Sequence, residues 1–279
     1  MRLWLGHSAP VNGIKGQAIE RSSDEAAAAR KALSLSLRLS LPMDAILQRP
    51  SKPGDPVTFE LFDDAPEPDG NPAPPVVLAP GALLLPGSAR DAAAALVAAI
   101  STVTAQAPWR HLTVPGGAVM SVAMSNCGAL GWVSDRSGYR YAAQDPLSGQ
   151  PWPAMPEIFK SLAALAALGA GFAGFEPNAC LINRYLPGAR MGLHQDKDER
   201  DFTQPIVSLS LGLPAVFLWG GLQRTDKPAR WRLAHGDAVV WGGPARLTFH
   251  GVAPLAAGDH PLLGGQRLNL TFRRVAVPL

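Results

Sequence analysis

The stretch "RLNLTFR", residues 267–273, decides how the second half of the chain folds. Its residues alternate strictly between polar and apolar, which is the period of a β-strand. Successive side chains of a strand point to opposite faces. Leu268, Leu270 and Phe272 therefore form one face, the core-facing one by the simplest account. Arg267, Asn269, Thr271 and Arg273 form the other. If that second face is also internal, its two arginines demand an anionic partner, because a buried unpaired guanidinium is costly. On a straight strand the two stand about 20 Å apart at the backbone. A five-carbon dicarboxylate held at both ends would span most of the gap left between the side chains if the strand curves, and planar forks suit carboxylates. An exposed face of solvated arginines is the alternative.

Upstream, "ACLINRYLP", "PIVSLSLGL", "AVFLWGG", "RWRLAHGDAVVWGG" and "ARLTFHGV" are also strand-like, separated by Gly, Pro and Asp. Several short strands at regular spacing predict a sandwich or jelly roll. Two helices precede them. One is "SARDAAAALVAAISTVTAQ", with Ser88 as a candidate N-cap. The other is "PEIFKSLAALAALGAG", with Pro156 near its first turn. Between them, "TVPGGAVMSVAMSNCGALGWVSDRSGYRYAAQDPLSGQPWP" reads as hairpins and loops, suited to a lid or binding surface. Residues 63–87 are Pro-rich, with a short strand in "PVVLAPGALLL". The fold class is thus mostly β with flanking helices, around a jelly-roll core. The chain divides into a poorly ordered extension (1–57), a helical and lid region (58–178) and the jelly roll (179–279). Within the extension, "DEAAAARKALSLSLRLSLP" could form a helix with a mixed face, but it lacks the apolar core and small-residue cleavage site of a leader peptide. Met43, just after it, is a second candidate start.

With 279 residues the chain can bury a sizeable core. No apolar run reaches the roughly 18 to 20 residues that span a bilayer. Two cysteines, Cys127 and Cys180, make no disulfide framework, and two buried thiols fit the reducing cytoplasm. Charge is uneven: from Asn183 onward there are 12 Lys+Arg against 7 Asp+Glu, while the rest of the chain is net negative. A basic half is compatible with a nucleic-acid partner. No sequence repeat is present, and nothing marks a stable oligomer, so a monomer is expected.

Against a chain only 17% charged, "GLHQDKDE" (192–199) crowds a histidine and four charged residues into six positions. A solvated loop is one reading. On a strand, however, His194 and Asp196 would share a face about 6.6 Å apart, close enough for both side chains to lean onto one metal. His250, at the end of "RLTFHGV", is a candidate third ligand, since Thr248 and His250 leave the face of Leu247 and Phe249. Two histidines and a carboxylate with open positions form the facial triad of non-haem Fe(II) oxygenases. His235 and Asp237 repeat the His-x-Asp spacing, but at a turn, where alternation does not hold. His260 reads as a surface histidine.

Together, "NRYLPGARMGLHQDKDE", "PIVSLSLGLPAVF", "HGDAVVWGG", "RLTFHGV" and "RLNLTFR" resemble the AlkB family of Fe(II)- and 2-oxoglutarate-dependent dioxygenases, closest to its bacterial DNA-repair branch. "VPGGAVMSVAMSNCGALGW" and "QPWPAMP" extend the resemblance, which runs from about Phe59 to Arg274. It implies a double-stranded β-helix core with an N-terminal nucleotide-recognition lid. It implies His194, Asp196 and His250 as iron ligands. Arg267 and Arg273 would hold 2-oxoglutarate, assisted by Asn183, Tyr185 and Asn269. Trp132, Tyr139 and Tyr141 would lie in the lid, and Asp198 and Arg224 would contact substrate. The implied reaction uses Fe(II), 2-oxoglutarate and oxygen to remove N-methyl groups from bases such as 1-methyladenine and 3-methylcytosine. Formaldehyde and succinate are released. Alkylated DNA, preferably single-stranded, is the implied partner, with RNA as an alternative. Each of the three lid aromatics has a plain core-packing reading beside this one. Two positions depart from the pattern: Ala118 stands where an aromatic is expected in the lid, and Leu268 replaces an aromatic between the arginines. Two other functions compete. One is the same chemistry on RNA, protein or a small molecule. The other is a non-catalytic module that binds methylated nucleic acid.

Overall fold

A computed structural model describes residues 73–276. The expected extension 1–57 lies outside them, as do residues 58–72.

The Pro-rich segment ends in a hairpin, β1 (Val76–Ala79) and β2 (Ala82–Leu85), turning at Pro80 and Gly81. Helix α1 covers Ala93–Gln106 and buries Leu96, Ile100 and Val103, the i, i+4, i+7 stripe of an amphipathic helix. It starts later than expected, and Ser88 does not cap it. Gly87 N–H donates to Asp237 Oδ1 (2.8 Å) and Ala89 N–H to the Gly236 carbonyl (2.8 Å). Those bonds bind the segment to a distant turn and hold it out of the helix. Helix α2 (Glu157–Gly169) begins after Pro156 as expected and buries Phe159, Leu162, Ala163, Ala166 and Ala167. Four strands lie between the helices: β3 (Arg110–Thr113), β4 (Val119–Gly128), β5 (Gly131–Asp135) and β6 (Gly138–Ala142).

Eight strands follow: β7 (Ala179–Tyr185), β8 (Met191–His194), β9 (Ile206–Gly212), β10 (Ala215–Trp219), β11 (Ala229–Leu233), β12 (Ala238–Trp241), β13 (His250–Val252) and β14 (Arg267–Arg273). An eight-stranded sheet runs β1-β2-β12-β9-β14-β7-β4-β3, and a four-stranded sheet runs β11-β10-β13-β8. Strands β5 and β6 pair only with each other. All the named pairings are antiparallel, and the architecture is the expected mostly-β jelly roll.

Strand β14 sits between two apolar layers. Leu268, Leu270 and Phe272 pack on α1 and α2 in one cluster, and Phe159 meets Phe272 edge-on at 6.0 Å. The second cluster lies between the sheets and includes Tyr185, Phe217, Trp219 and Trp241. Every residue of β14 is buried, so its polar face points into the sandwich rather than to water. Leu268, the departure between the arginines, belongs to the helix-side cluster. A change there does not alter the face that carries Arg267 and Arg273.

The segment "ARLTFHGV" corrects one expectation. It is not a continuous strand ending at His250. A 3-10 turn covers Gly243–Ala245, and the strand begins at His250. The cause is Arg246, which is buried and turns inward. Its Nε donates to the Gln204 carbonyl (3.0 Å), NH1 to the Asp196 carbonyl (2.6 Å) and NH2 to Glu199 Oε2 (3.1 Å).

Candidate active site

Cross-strand register assembles the polar floor. Arg267 pairs with Tyr185 and Gly212, and Asn269 pairs with Asn183 and Ser210. The β14–β7 pairing thus places Arg267, Asn269, Asn183 and Tyr185 side by side. Gly212 makes the close approach possible: its φ is +88°, and a Cβ there would lie 2.4 Å from the Gln266 carbonyl oxygen. Asn183 Nδ2 donates to Asn269 Oδ1 (3.1 Å), and Asn269 Nδ2 donates to Ser208 Oγ (2.7 Å). Arg267 NH2 donates to Ser210 Oγ (2.9 Å), and its guanidinium carbon lies 4.9 Å from the Tyr185 ring centre. Its Nε and NH1 have no hydrogen-bond partner among the described residues, nor does Asn183 Oδ1. Burial pushes the Arg267 pKa down. A buried cation with two free donors is a ready site for a carboxylate.

His194 and His250 line the same cavity. Asp196 stands against them, and the ligand atoms of the three all lie within 4.8 Å of one another. His194 and His250 face each other across the β8–β13 pairing, with ring centres 4.5 Å apart. Each imidazole donates its Nδ1–H to a carbonyl two residues back: His194 to Gly192 (2.9 Å) and His250 to Thr248 (3.0 Å). That bond fixes the tautomer and leaves both Nε2 atoms as lone-pair donors. Burial, and next His194, depress His250 to about 4, so near neutral pH no proton competes for its Nε2.

Asp196 differs in detail from the sequence reading. Strand β8 ends at His194, so Asp196 stands just past it. What aims its carboxylate is Arg273, whose Nε and NH2 both donate to Oδ2 (3.1 and 2.8 Å). Oδ1 is left 3.6 Å from His194 Nε2. Burial opposes the charge on Asp196, but Arg273 and both histidines outweigh it and hold the carboxyl well below the usual range. The expected two-ended grip on a dicarboxylate is therefore unequal. The Arg273 fork faces Asp196, and the free donors belong to Arg267.

The histidines can meet because residue 251 is glycine. A Cβ there would sit 2.7 Å from the Met191 carbonyl oxygen, at a register shift between β8 and β13. Gly251→Ala must push these strands apart, at a cost of about 1–3 kcal/mol. It should lower Tm and weaken Mn(II) affinity at least about tenfold, as a spoiled ligand geometry requires. Calorimetry and metal titration check both.

The β5–β6 hairpin bonds the loop that follows Asp196. Asn126 fixes it by bonding both the N–H and the carbonyl of Trp132 (3.0 Å each). Trp132 and Tyr139 stack at 5.5 Å, 13° from parallel. Trp132 Nε1 donates to Asp198 Oδ2 (3.0 Å). The Tyr141 hydroxyl donates to Glu199 Oε1 (2.6 Å), and burial raises its pKa well above the usual value. Arg224 is exposed in the β10–β11 turn, with no bond to the others. Ala118 is exposed in the β3–β4 turn. Sequence reasoning missed Glu199 and Arg246, both buried. Nothing local marks them, because the partners of Glu199 lie 47 and 58 residues away.

A metal-sized triad beside an orphaned guanidinium, inside a jelly roll, defines a class: the Fe(II)- and 2-oxoglutarate-dependent dioxygenases. The 2OG-Fe(II) oxygenase superfamily matches residues 79–273. Within that class the chain belongs to the AlkB family. It is 58% identical over 185 residues to the alpha-ketoglutarate-dependent dioxygenase AlkB of Salmonella typhimurium, covering 66% of this chain and 86% of the relative. Identity to Escherichia coli AlkB is 56% over 184 residues, covering 66% and 85%. The solved structure of OsALKBH1 superposes with a TM-score of 0.64 at 29% identity, covering 72% of this chain and all of that one. Its cofactor is Fe(II), and its cosubstrates are 2-oxoglutarate and oxygen.

Proposed function

We propose that the protein removes N-methyl groups from damaged bases in DNA, such as 1-methyladenine and 3-methylcytosine. The observation that carries this reading is the Trp132–Tyr139 stack bonded to Asp198, two residues from Asp196. These methylated bases are cationic. An aromatic face and a carboxylate suit a flat cation, and Asp198 has a second oxygen with no protein partner among the described residues. Tyr139 is half exposed and open to an incoming ring. A base must leave its stack to reach such a site, which favours single strands. Arg224, Lys227, Arg230 and Arg232 are exposed along β11 and the turn before it and form no ion pair among the described residues, as suits a phosphate backbone.

In this reading His194, Asp196 and His250 hold iron through Nε2, Oδ1 and Nε2. Arg267 meets a 2-oxoglutarate carboxylate with Nε and NH1, and Asn183, Asn269 and Tyr185 shape the same pocket. When bound, Fe(II) and 2-oxoglutarate activate oxygen; 2-oxoglutarate becomes succinate and carbon dioxide, and the methyl group leaves as formaldehyde. Trp132 and Tyr139 hold the base, and Asp198 balances its charge. The enzyme works as a monomer, since one chain supplies the whole set. Cys127 and Cys180 are buried and stand opposite each other across the β4–β7 pairing without a disulfide, which suits the cytoplasm.

The test is mass spectrometry of a single-stranded oligonucleotide carrying one 1-methyladenine, incubated in air with Fe(II), ascorbate and 2-oxoglutarate. A 2-oxoglutarate-dependent loss of about 14 Da is expected. Succinate without mass loss rejects the substrate class. Neither product, with iron bound, favours a non-catalytic binding module.

A further inference from the structure

We propose that Glu199 is a positioning residue for the metal site, acting through Asp196; this rests on the reading of Asp196 as a metal ligand. Glu199 is 2% exposed yet makes contacts with both oxygens. Oε1 accepts from the Tyr141 hydroxyl (2.6 Å) and lies 3.4 Å from Arg273 Nε. Oε2 accepts from Arg246 NH2 (3.1 Å). The two arginines that Glu199 holds are the two that hold Asp196. Arg273 bonds the Asp196 carboxylate at Oδ2, and Arg246 NH1 bonds the Asp196 carbonyl at 2.6 Å. Side chain and backbone of the ligand are thus fixed through one carboxylate. The Glu199 carbonyl also accepts from Ala276 N–H (3.0 Å), which pins the loop at the Glu199 backbone.

Charge explains why a carboxylate is needed. Asp196 and Glu199 balance Arg246 and Arg273 inside the protein, where an uncompensated charge is costly. With Glu199 neutral, Arg273 has only Asp196 left as an anionic partner. The guanidinium then competes with the metal for the electrons of that carboxylate, and its aim is no longer fixed from behind. Tyr141 supplies the third hold, from lid strand β6. Its hydroxyl therefore faces Glu199, not the open face of the Trp132–Tyr139 stack.

The experiment is titration of the full-length protein with Mn(II), a redox-stable stand-in for Fe(II) that takes the same donor types. Glu199→Gln should weaken Mn(II) binding about 10- to 100-fold, the range for groups that orient a metal ligand. Tyr141→Phe removes only the hydroxyl, one of the three holds on Glu199, and should weaken it about threefold, below the range for the carboxylate itself. It serves as the test if the glutamine variant does not fold. Asp145→Asn is the control. It breaks the buried Arg110–Asp145 pair, which touches none of the triad, and should lower Tm with Mn(II) affinity unchanged. Wild-type affinity in the folded variants overturns the role of Glu199, as does an equal loss in the control. A wild-type protein that binds no Mn(II) overturns the metal reading beneath it.

Discussion

His194→Ala is expected to cut turnover by about three orders of magnitude or more while leaving the fold intact. A metal that loses one of three protein ligands loses several kcal/mol of catalytic assistance, and each 1.4 kcal/mol is about a factor of ten. His194 is the right ligand to remove because its side chain is 38% exposed. Among the described residues its side chain makes one hydrogen bond, to the Gly192 carbonyl, which water can replace. Asp196 is a poorer choice, since its loss strips Arg273 of its closest anion inside the protein and would cost about 3–5 kcal/mol in stability. Lost activity in an Asp196 variant would then report unfolding as readily as chemistry. Three readings on His194→Ala separate the two: turnover, Mn(II) affinity and Tm. Turnover and affinity should collapse while Tm stays within a few degrees, as at other exposed sites. Full activity with a lost histidine would remove His194 from the metal site.

The alternation of residues 267–273 was enough to read β14 and to divide its faces correctly. It succeeded because strict alternation divides the faces of a strand wherever the strand lies; that the polar face is internal, and satisfied largely by Ser208, Ser210 and Asp196, shows only in the fold. The His-x-Asp spacing led, by an incomplete argument, to residues that the fold brings together with His250. Strand β8 stops before Asp196, and the Arg273 fork, from a strand 77 positions away in sequence, does the aiming. The same blindness to distant partners explains the misread segment before His250. Leu247 and Phe249 alternate with Thr248 and His250, so the period of two was present, but Arg246 is drawn inward by Glu199 and breaks it. Ser88 looked like a cap for the same reason: its neighbours bond a turn at residues 236–237, which no local pattern announces. Glu199 was least legible of all. It ends a run of charged residues that reads as solvated surface, and only the folded chain shows it to be buried.

Arg267→Met should raise the KM for 2-oxoglutarate at least about 100-fold without destabilising the protein free of cosubstrate. The two halves of that result have one cause. Arg267 is 1% exposed, with Nε and NH1 unpartnered. Such a group weakens the empty fold, so a methionine of similar length should leave Tm unchanged or raise it. Bound to a carboxylate, the same two donors form charge-assisted hydrogen bonds worth about 1.5–3 kcal/mol each. Losing both removes about 3–6 kcal/mol of binding, which is 100-fold or more. Mn(II) affinity should not change, because Arg267 bonds Ser210 and packs on Tyr185 rather than on the triad. Steady-state kinetics over a wide 2-oxoglutarate range, with thermal melts of the same preparation, test the pair. An unchanged KM would refute the carboxylate site. A raised KM with a fallen Tm would mean that Arg267 also holds the fold together, and that the KM change no longer isolates its two free donors.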